Sequence, residues 1–436
     1  MTRAGSDRAG AHRIAAVDAC EVLDSRGRPT VWCEVTLSGG ERAGVSVPSG
    51  ASTGTYERHE LRDGGERYAG RGVRCAVRNV VEALGPAVRG LDAREQQEVD
   101  AALCGADGTA SLERLGANAV LAVSVATAVA SARASGVPLF AALAQRAGQK
   151  PLLPMPMVNI LSGGAHAGNA LDVQDILVVP LAATSFAQAL QWAAAVREAA
   201  VEVAEKRGLP ARLAADEGGL GLNLPRNEDA LELVVAAIEL SGRSPGAEIA
   251  LAIDVAANQF AANDRYELRL EERTLTGTQW VDELVGWCRS YPIVSVEDPL
   301  AEDDWPTWQH LSARLGDLQL IGDDLFVTDV ARLRQGVAQG VANGVLVKPN
   351  QVGTVSGALA VVEEARARGY ATVLSARSGE TEDTWLADFA VGWATGQVKV
   401  GSTTRSERTA KWNRLLVIEH QLGAAARLAR FPRRGA

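Results

Sequence analysis

The sequence predicts an α/β chain in two parts, a small N-terminal α+β domain followed by a β/α barrel, and three observations carry that expectation. The first is order: strand-like VWCEVTL and ERAGVSVP stand around a Gly-Gly turn, after which the chain becomes helical and alanine-rich. The second is PLLPMPM (Pro151 to Met157), a proline-punctuated linker in which a helix cannot continue. The third is a change of rhythm beyond it. Short β-branched runs, IALAID, PIVSVED, LQLIGDD, GVLVKP, TVLSAR and QVKVG, each end in polar residues and precede a helical stretch. Such runs are apolar on both faces, as parallel strands are, and this many βα units suit a closed barrel whose active site lies at the C-terminal strand ends. An open doubly wound sheet is the alternative, although no GxGxxG follows the early strands.

These boundaries place a disordered tail at residues 1–12, the α+β domain at 13–147 and the barrel at 152–428. A chain of 436 residues, 47% apolar and 22% charged, is able to bury a core of that size. Its net charge of −9 offers no basic footprint for nucleic acid. Five cysteines without a CxxC pair fit reduced thiols, and MTRAGSDRAGAH lacks the apolar centre of a signal peptide. Both point to the cytoplasm. The uncharged run Gly116 to Ala132 is interrupted by Asn, Ser and Thr, and it reads as a buried helix, not a membrane span.

Three of the predicted strands end in carboxylates: Asp254 in LAIDVAAN, Glu297 in VSVEDPL and Asp323 in LIGDDLF. Each alone reads equally as the cap of a following helix. Converging at one barrel mouth they would repel, and hard oxygen donors without His or Cys then call for Mg²⁺. The next strand ends carry Lys348, Arg377 and Lys399. Only five of the 44 basic residues are lysines, so two at strand ends suggest a need for an ammonium that can lose its proton, which guanidinium cannot do. A lysine beside other cations has its neutral form favoured and becomes a general base. PSGASTGTYE (Pro48 to Glu57) is flexible enough for a lid, ADEGG presents Glu217 on a tight turn, and SGGAHAGN presents His166.

In combination and order, VLDSRGRPTV, VPSGASTGTYERHELRD, NILSGGAHAG, ADEGG, SVEDPL, GDDLFVT, LVKPNQVG, RSGETEDTWLAD and VKVGSTTRSERTAKWN resemble the enolase family from about Val22 to Gly423. The resemblance implies a modified β/α barrel of the TIM type, two Mg²⁺ per active site and a homodimer or larger homo-oligomer. It also implies dehydration of 2-phospho-D-glycerate to phosphoenolpyruvate. By the same resemblance Asp254, Glu297 and Asp323 ligate the first Mg²⁺, and Ser52 joins the second with the substrate phosphate. Lys348 is implied as the base, Lys399 as a holder of the substrate carboxylate and Glu217 as the acid. Arg377 and Ser378 are implied for phosphate, with His166 and Gln174 lining the pocket.

Four positions depart from the family's pattern. Asp175 stands where the family has glutamate, shorter by one C–C bond or about 1.5 Å, and Ala376 stands where it has histidine. Both belong to the side that handles the leaving hydroxyl. Pro349 follows the base, and Trp32 replaces a carboxylate near the family's subunit contact. The pattern leaves open a paralogue acting on another phosphorylated or phosphonylated carboxylate, in a carboxyphosphonoenolpyruvate-synthase-like step. A non-catalytic barrel would be expected to lose Lys348, Glu217 and the three acids first.

Overall fold

The computed structural model describes residues 10–50, 54–211 and 213–432. The N-terminal part opens with an antiparallel sheet of β1 (Ile14–Leu23), β2 (Pro29–Leu37) and β3 (Arg42–Ser46). Strand β2 alternates buried and half-buried positions, as a sheet packed on one face requires. The helix Ala117–Ala134 covers that face, so the uncharged run is a core helix: 83% of it is buried, although its length and mean hydropathy of 1.4 would suffice to cross a membrane. Trp32 lies across Gly44 on the neighbouring strand, where a Cβ would stand 2.5 Å from the indole ring.

Of the segment expected as a tail, residues 10–12 are described. The Ala11 and His12 carbonyls accept from Gly39 and Ala93 at 2.9 and 3.0 Å, which ties this segment to the sheet. The linker is shorter than expected, because Met155 already opens the first barrel strand.

Eight strands form the barrel: β4 (Met155–Ser162), β5 (Asp175–Val179), β6 (Ala250–Asp254), β7 (Ile293–Glu297), β8 (Gln319–Gly322), β9 (Gly344–Val347), β10 (Ala371–Ser375) and β11 (Gly396–Gly401). Pairing of β11 with β4 closes the ring. The six runs seen in the sequence are β6 to β11, and they are parallel. Strand β5 runs antiparallel to both β4 and β6. That reversal brings its first residue, Asp175, to the mouth where the other strands end, opposite Ser162 and Asp254 in the ladder.

Inside the ring, Met155, Met157, Leu177, Val179, Ala252, Ile321, Leu346 and Val373 pack together, and Phe431 joins them. The barrel part therefore continues past residue 428. The two parts are pinned together by Asp100, whose carboxylate accepts from Ser124 Oγ at 2.6 Å and from the backbone N–H of Ser356 at 2.8 Å.

Candidate active site

A cavity of about 420 Å³ opens at the C-terminal strand ends. Among the described residues six carboxylates line it, Glu217, Asp254, Asp298, Glu302, Asp323 and Asp324, against the cations Lys348, Arg377 and Lys399 and the imidazole of His166. That imbalance is the observation that calls for further positive charge. Burial, and then the neighbouring Asp323, push Asp324 up to about 7.

Among the described residues the acids gather around ammonium groups. Lys399 Nζ donates to Asp254 Oδ2 at 2.6 Å and to Glu297 at 2.8 and 2.9 Å. Gln174 donates to the same Asp254 oxygen at 2.8 Å. Glu297 lies beneath the cavity lining, 2% exposed; burial and then Asp254 hold its carboxyl well above the ordinary value despite Lys399. Lys348 pairs with Asp323, which also accepts from Gln351 at 2.9 Å. Burial disfavours the ammonium most strongly, but Asp323, with Glu297 behind it, offsets burial and the nearby Arg377, and the Lys348 pKa is raised. The donor set fits Mg²⁺: Asp254, Glu297 and Asp323 offer hard oxygens with no His or Cys among them, and they already surround cationic nitrogen.

His166 sits in a turn of 3₁₀ helix, Gly164–Ala167, and forms a buried group with Asp175 and Glu217 whose ligand atoms lie within 4.8 Å of one another. Asp175 does not line the cavity. Its Oδ1 accepts from Asn159 Nδ2 and, at 2.9 Å, from Ser162 Oγ, while Oδ2 faces His166 Nδ1 at 3.3 Å. Burial lowers the His166 pKa, yet Asp175 and then Glu217 overcome it and the net shift is upward. Glu217 moves the other way: burial would raise it, but His166 and then Arg408 hold it below the ordinary carboxylate range.

At residues 376–383 the methyl of Ala376 faces the cavity directly, beside Arg377 and Ser378. Arg377 pairs with Glu57 at 3.0 Å, and the Ser378 hydroxyl accepts from Arg26 at 3.2 Å. Gly379 exchanges backbone hydrogen bonds with Ser49, so close that a Cβ would meet the Ser49 hydroxyl at 2.6 Å. Glu380 pairs with Lys411 at 2.9 Å and Asp383 accepts from the Ser46 N–H at 2.5 Å, which docks this loop onto the final helix and the N-terminal sheet. Arg408, fully buried, donates to the carbonyls of Arg377 and Ser378 at 2.7 Å and fixes the strand end from behind.

Ser52 lies outside the described residues. Every other expected site residue is at this mouth: His166, Gln174, Glu217, Asp254, Asp323, Lys348, Arg377, Ser378 and Lys399 line the cavity, with Glu297 and Asp175 buried behind it. Pro349 occupies the first position of a short helix, Pro349–Val352, where its missing N–H would have had no helical partner. Sequence reasoning missed Glu57, Gln351, Asp298 and Arg408. Only Asp298 carried a signal, as the second acid of SVED.

The described enolase C-terminal TIM barrel domain matches residues 150–432, and the enolase N-terminal domain matches residues 14–143. The chain belongs to the enolase family. Within that family, a small α+β domain followed by a closed eight-stranded barrel is the enolase architecture found here. Membership supports an enolase-superfamily lyase that acts on a small molecule.

Proposed function

We propose that this enolase-family chain is a cytoplasmic, Mg²⁺-dependent hydro-lyase that interconverts 2-phospho-D-glycerate and phosphoenolpyruvate, working as a homodimer or larger homo-oligomer. The observation that carries the reading is one cavity lined by Lys348, Lys399, Glu217 and an excess of carboxylates. Lys348 Nζ, as the neutral amine it becomes away from Asp323, removes the proton from the carbon beside the substrate carboxylate. Lys399 holds that carboxylate, and Arg377 and Ser378, with Ser52, bind the phosphate. Glu217 is the acid that helps the 3-hydroxyl leave as water, with His166 lining the pocket beside it. Asp254, Glu297 and Asp323 would hold the first Mg²⁺ and Ser52 the second; the metal supplies positive charge that makes so weak a carbon acid ionisable. Purified protein with Mg²⁺ should generate the ultraviolet absorbance of phosphoenolpyruvate. Silence at high enzyme concentration would overturn the reading.

A second reading rests on Ala376 and Asp175 together. The methyl at 376 widens the cavity, and the carboxylate at 175 is turned onto His166, so neither reaches toward a leaving hydroxyl. The same enolising machinery would then serve a bulkier phosphorylated or phosphonylated carboxylate, in a carboxyphosphonoenolpyruvate-synthase-like step. Ala376→His separates the two. A handicapped hydratase gains turnover on 2-phosphoglycerate, whereas a specialised enzyme gains none and loses its own activity.

A further inference from the structure

We infer that the barrel carries a second ligand site at its N-terminal end, opposite the carboxylate mouth, and that this site takes a small organic anion. A cavity of about 360 Å³ lies there, lined by the first residues of β8, β10 and β11 together with Arg366, Tyr370 and Arg430. The volume equals that of about a dozen water molecules and falls in the range of small-molecule pockets.

Its floor is polar and unsatisfied. Gln319 is 4% exposed, and neither its Nε2 nor its Oε1 has a partner among the described residues; Gln397 is 1% exposed and its Oε1 has none. The orphaned atoms are not a general property of this wall. Asn343 beside them accepts from the Leu320 N–H at 2.9 Å and donates to the Leu318 carbonyl at 2.7 Å, and Thr372 donates to the Thr395 carbonyl at 2.7 Å. A buried amide with no partner costs free energy that a bound donor and acceptor would recover.

Charge selects the class of ligand. Among the described residues no Asp or Glu lines this cavity, in a chain whose net charge is −9, whereas Arg366 and Arg430 do. Arg366 is held at the rim by donating to the Trp393 carbonyl at 2.5 Å. An anionic group meeting the arginines, on a body short enough to place a carbonyl and a hydroxyl or amide against the glutamines, matches both features. The site is distinct from the mouth: Gln319 precedes Asp323 by one strand length, and Gln397 precedes Lys399 by two residues on the same face of β11.

The test is titration of the full chain, without divalent cations, with malonate, succinate and glutarate, followed by calorimetry and by melting temperature. At least one of the three should saturate at a single site and raise the melting temperature. Gln319→Leu and Arg430→Ala should each weaken that binding by roughly tenfold, while Arg377→Ala, at the mouth, leaves it unchanged. Arg430 is exposed, so its variant keeps the experiment decisive if Gln319→Leu does not fold. Absence of saturable binding by all three anions, unchanged affinity in Arg430→Ala, or loss of affinity in Arg377→Ala overturns the proposal.

Discussion

Lys399 is the group whose removal should expose most clearly how the mouth is held together. Its ammonium stands between Asp254 and Glu297, and the three side chains are 7%, 3% and 2% exposed. In Lys399→Met the two carboxylates face each other without a cation. Removing one partner of a buried ionic group costs about 3–5 kcal/mol. For 436 residues unfolding together, an entropy of about 2.1 cal/mol/K per residue gives about 0.9 kcal/mol/K, so the melting temperature should fall by about 3–5 °C in EDTA at neutral pH. The pH dependence has a definite sign. Burial opposes the Lys399 charge, but Asp254 and Glu297 hold its pKa well above the ordinary 10.5, so in the parent chain its contribution is complete below that value and lost only at higher pH. In the variant the Glu297 carboxyl, already raised by burial and by Asp254, loses its cation and rises further. A carboxyl with a raised folded pKa binds more protons folded than unfolded, so the variant regains stability as pH falls through that raised value toward the ordinary 4.5. Added Mg²⁺ should also narrow the deficit, by binding the folded state. Scanning calorimetry of both proteins across this range checks it. A variant that melts with the parent at neutral pH, or whose deficit does not shrink on acidification, refutes the reasoning.

Three further outcomes follow from other parts of the molecule. Asp175→Asn removes the first charge that raises His166 against burial, so the His166 pKa should fall, as followed by side-chain NMR through a pH titration. Phe431→Ala empties the end of the barrel interior and should cost about 3 kcal/mol, near the low end for a core phenylalanine because 9% of the residue is exposed, measured by denaturant unfolding. Gly44→Ala drives a methyl into the Trp32 ring and should cost about 1–3 kcal/mol in the same assay, with recovery when Trp32 is also shortened.

What was legible in the sequence followed from burial. A strand covered on both faces has to be apolar until it emerges, so β6 to β11 announced themselves and their last residues carried the chemistry. Strand β5 did not, because DILVV reads the same in either direction, and only the ladder with Ser162 and Asp254 reveals that it is reversed. Glu57 was hidden for another reason: its partner Arg377 is 320 residues away, and nothing local marks it. Asp298, the second acid of SVED, accepts with its two oxygens from the backbone N–H groups of Asp323 and Asp324 at 2.8 and 2.7 Å, which shapes the loop that presents Asp323. Arg408 and Lys411 stand on a helix with polar neighbours, and no local pattern marks them as buried. Both are buried because backbone carbonyls at 376–383 accept their protons.

Two of the four expected departures from the family's pattern, Ala376 and Asp175, have different physical standing, although the sequence alone made them look like a pair. Ala376 borders open cavity, so Ala376→His adds a ring where there is room. Asp175 is 1% exposed, with Asn159 and Ser162 on one oxygen and His166 before the other. Asp175→Glu lengthens the side chain by about 1.5 Å inside a filled slot. It must either break the Asn159 and Ser162 bonds or displace His166. Overpacking of that kind costs about 1–3 kcal/mol, so Asp175→Glu should lower the melting temperature and Ala376→His should leave it nearly unchanged. Equal stability of Asp175→Glu and the parent would mean that the slot yields and that Asp175 does not fix His166. A destabilised Ala376→His would mean that the room beside Arg377 is smaller than the cavity implies, and the argument for a bulkier substrate would lose its footing.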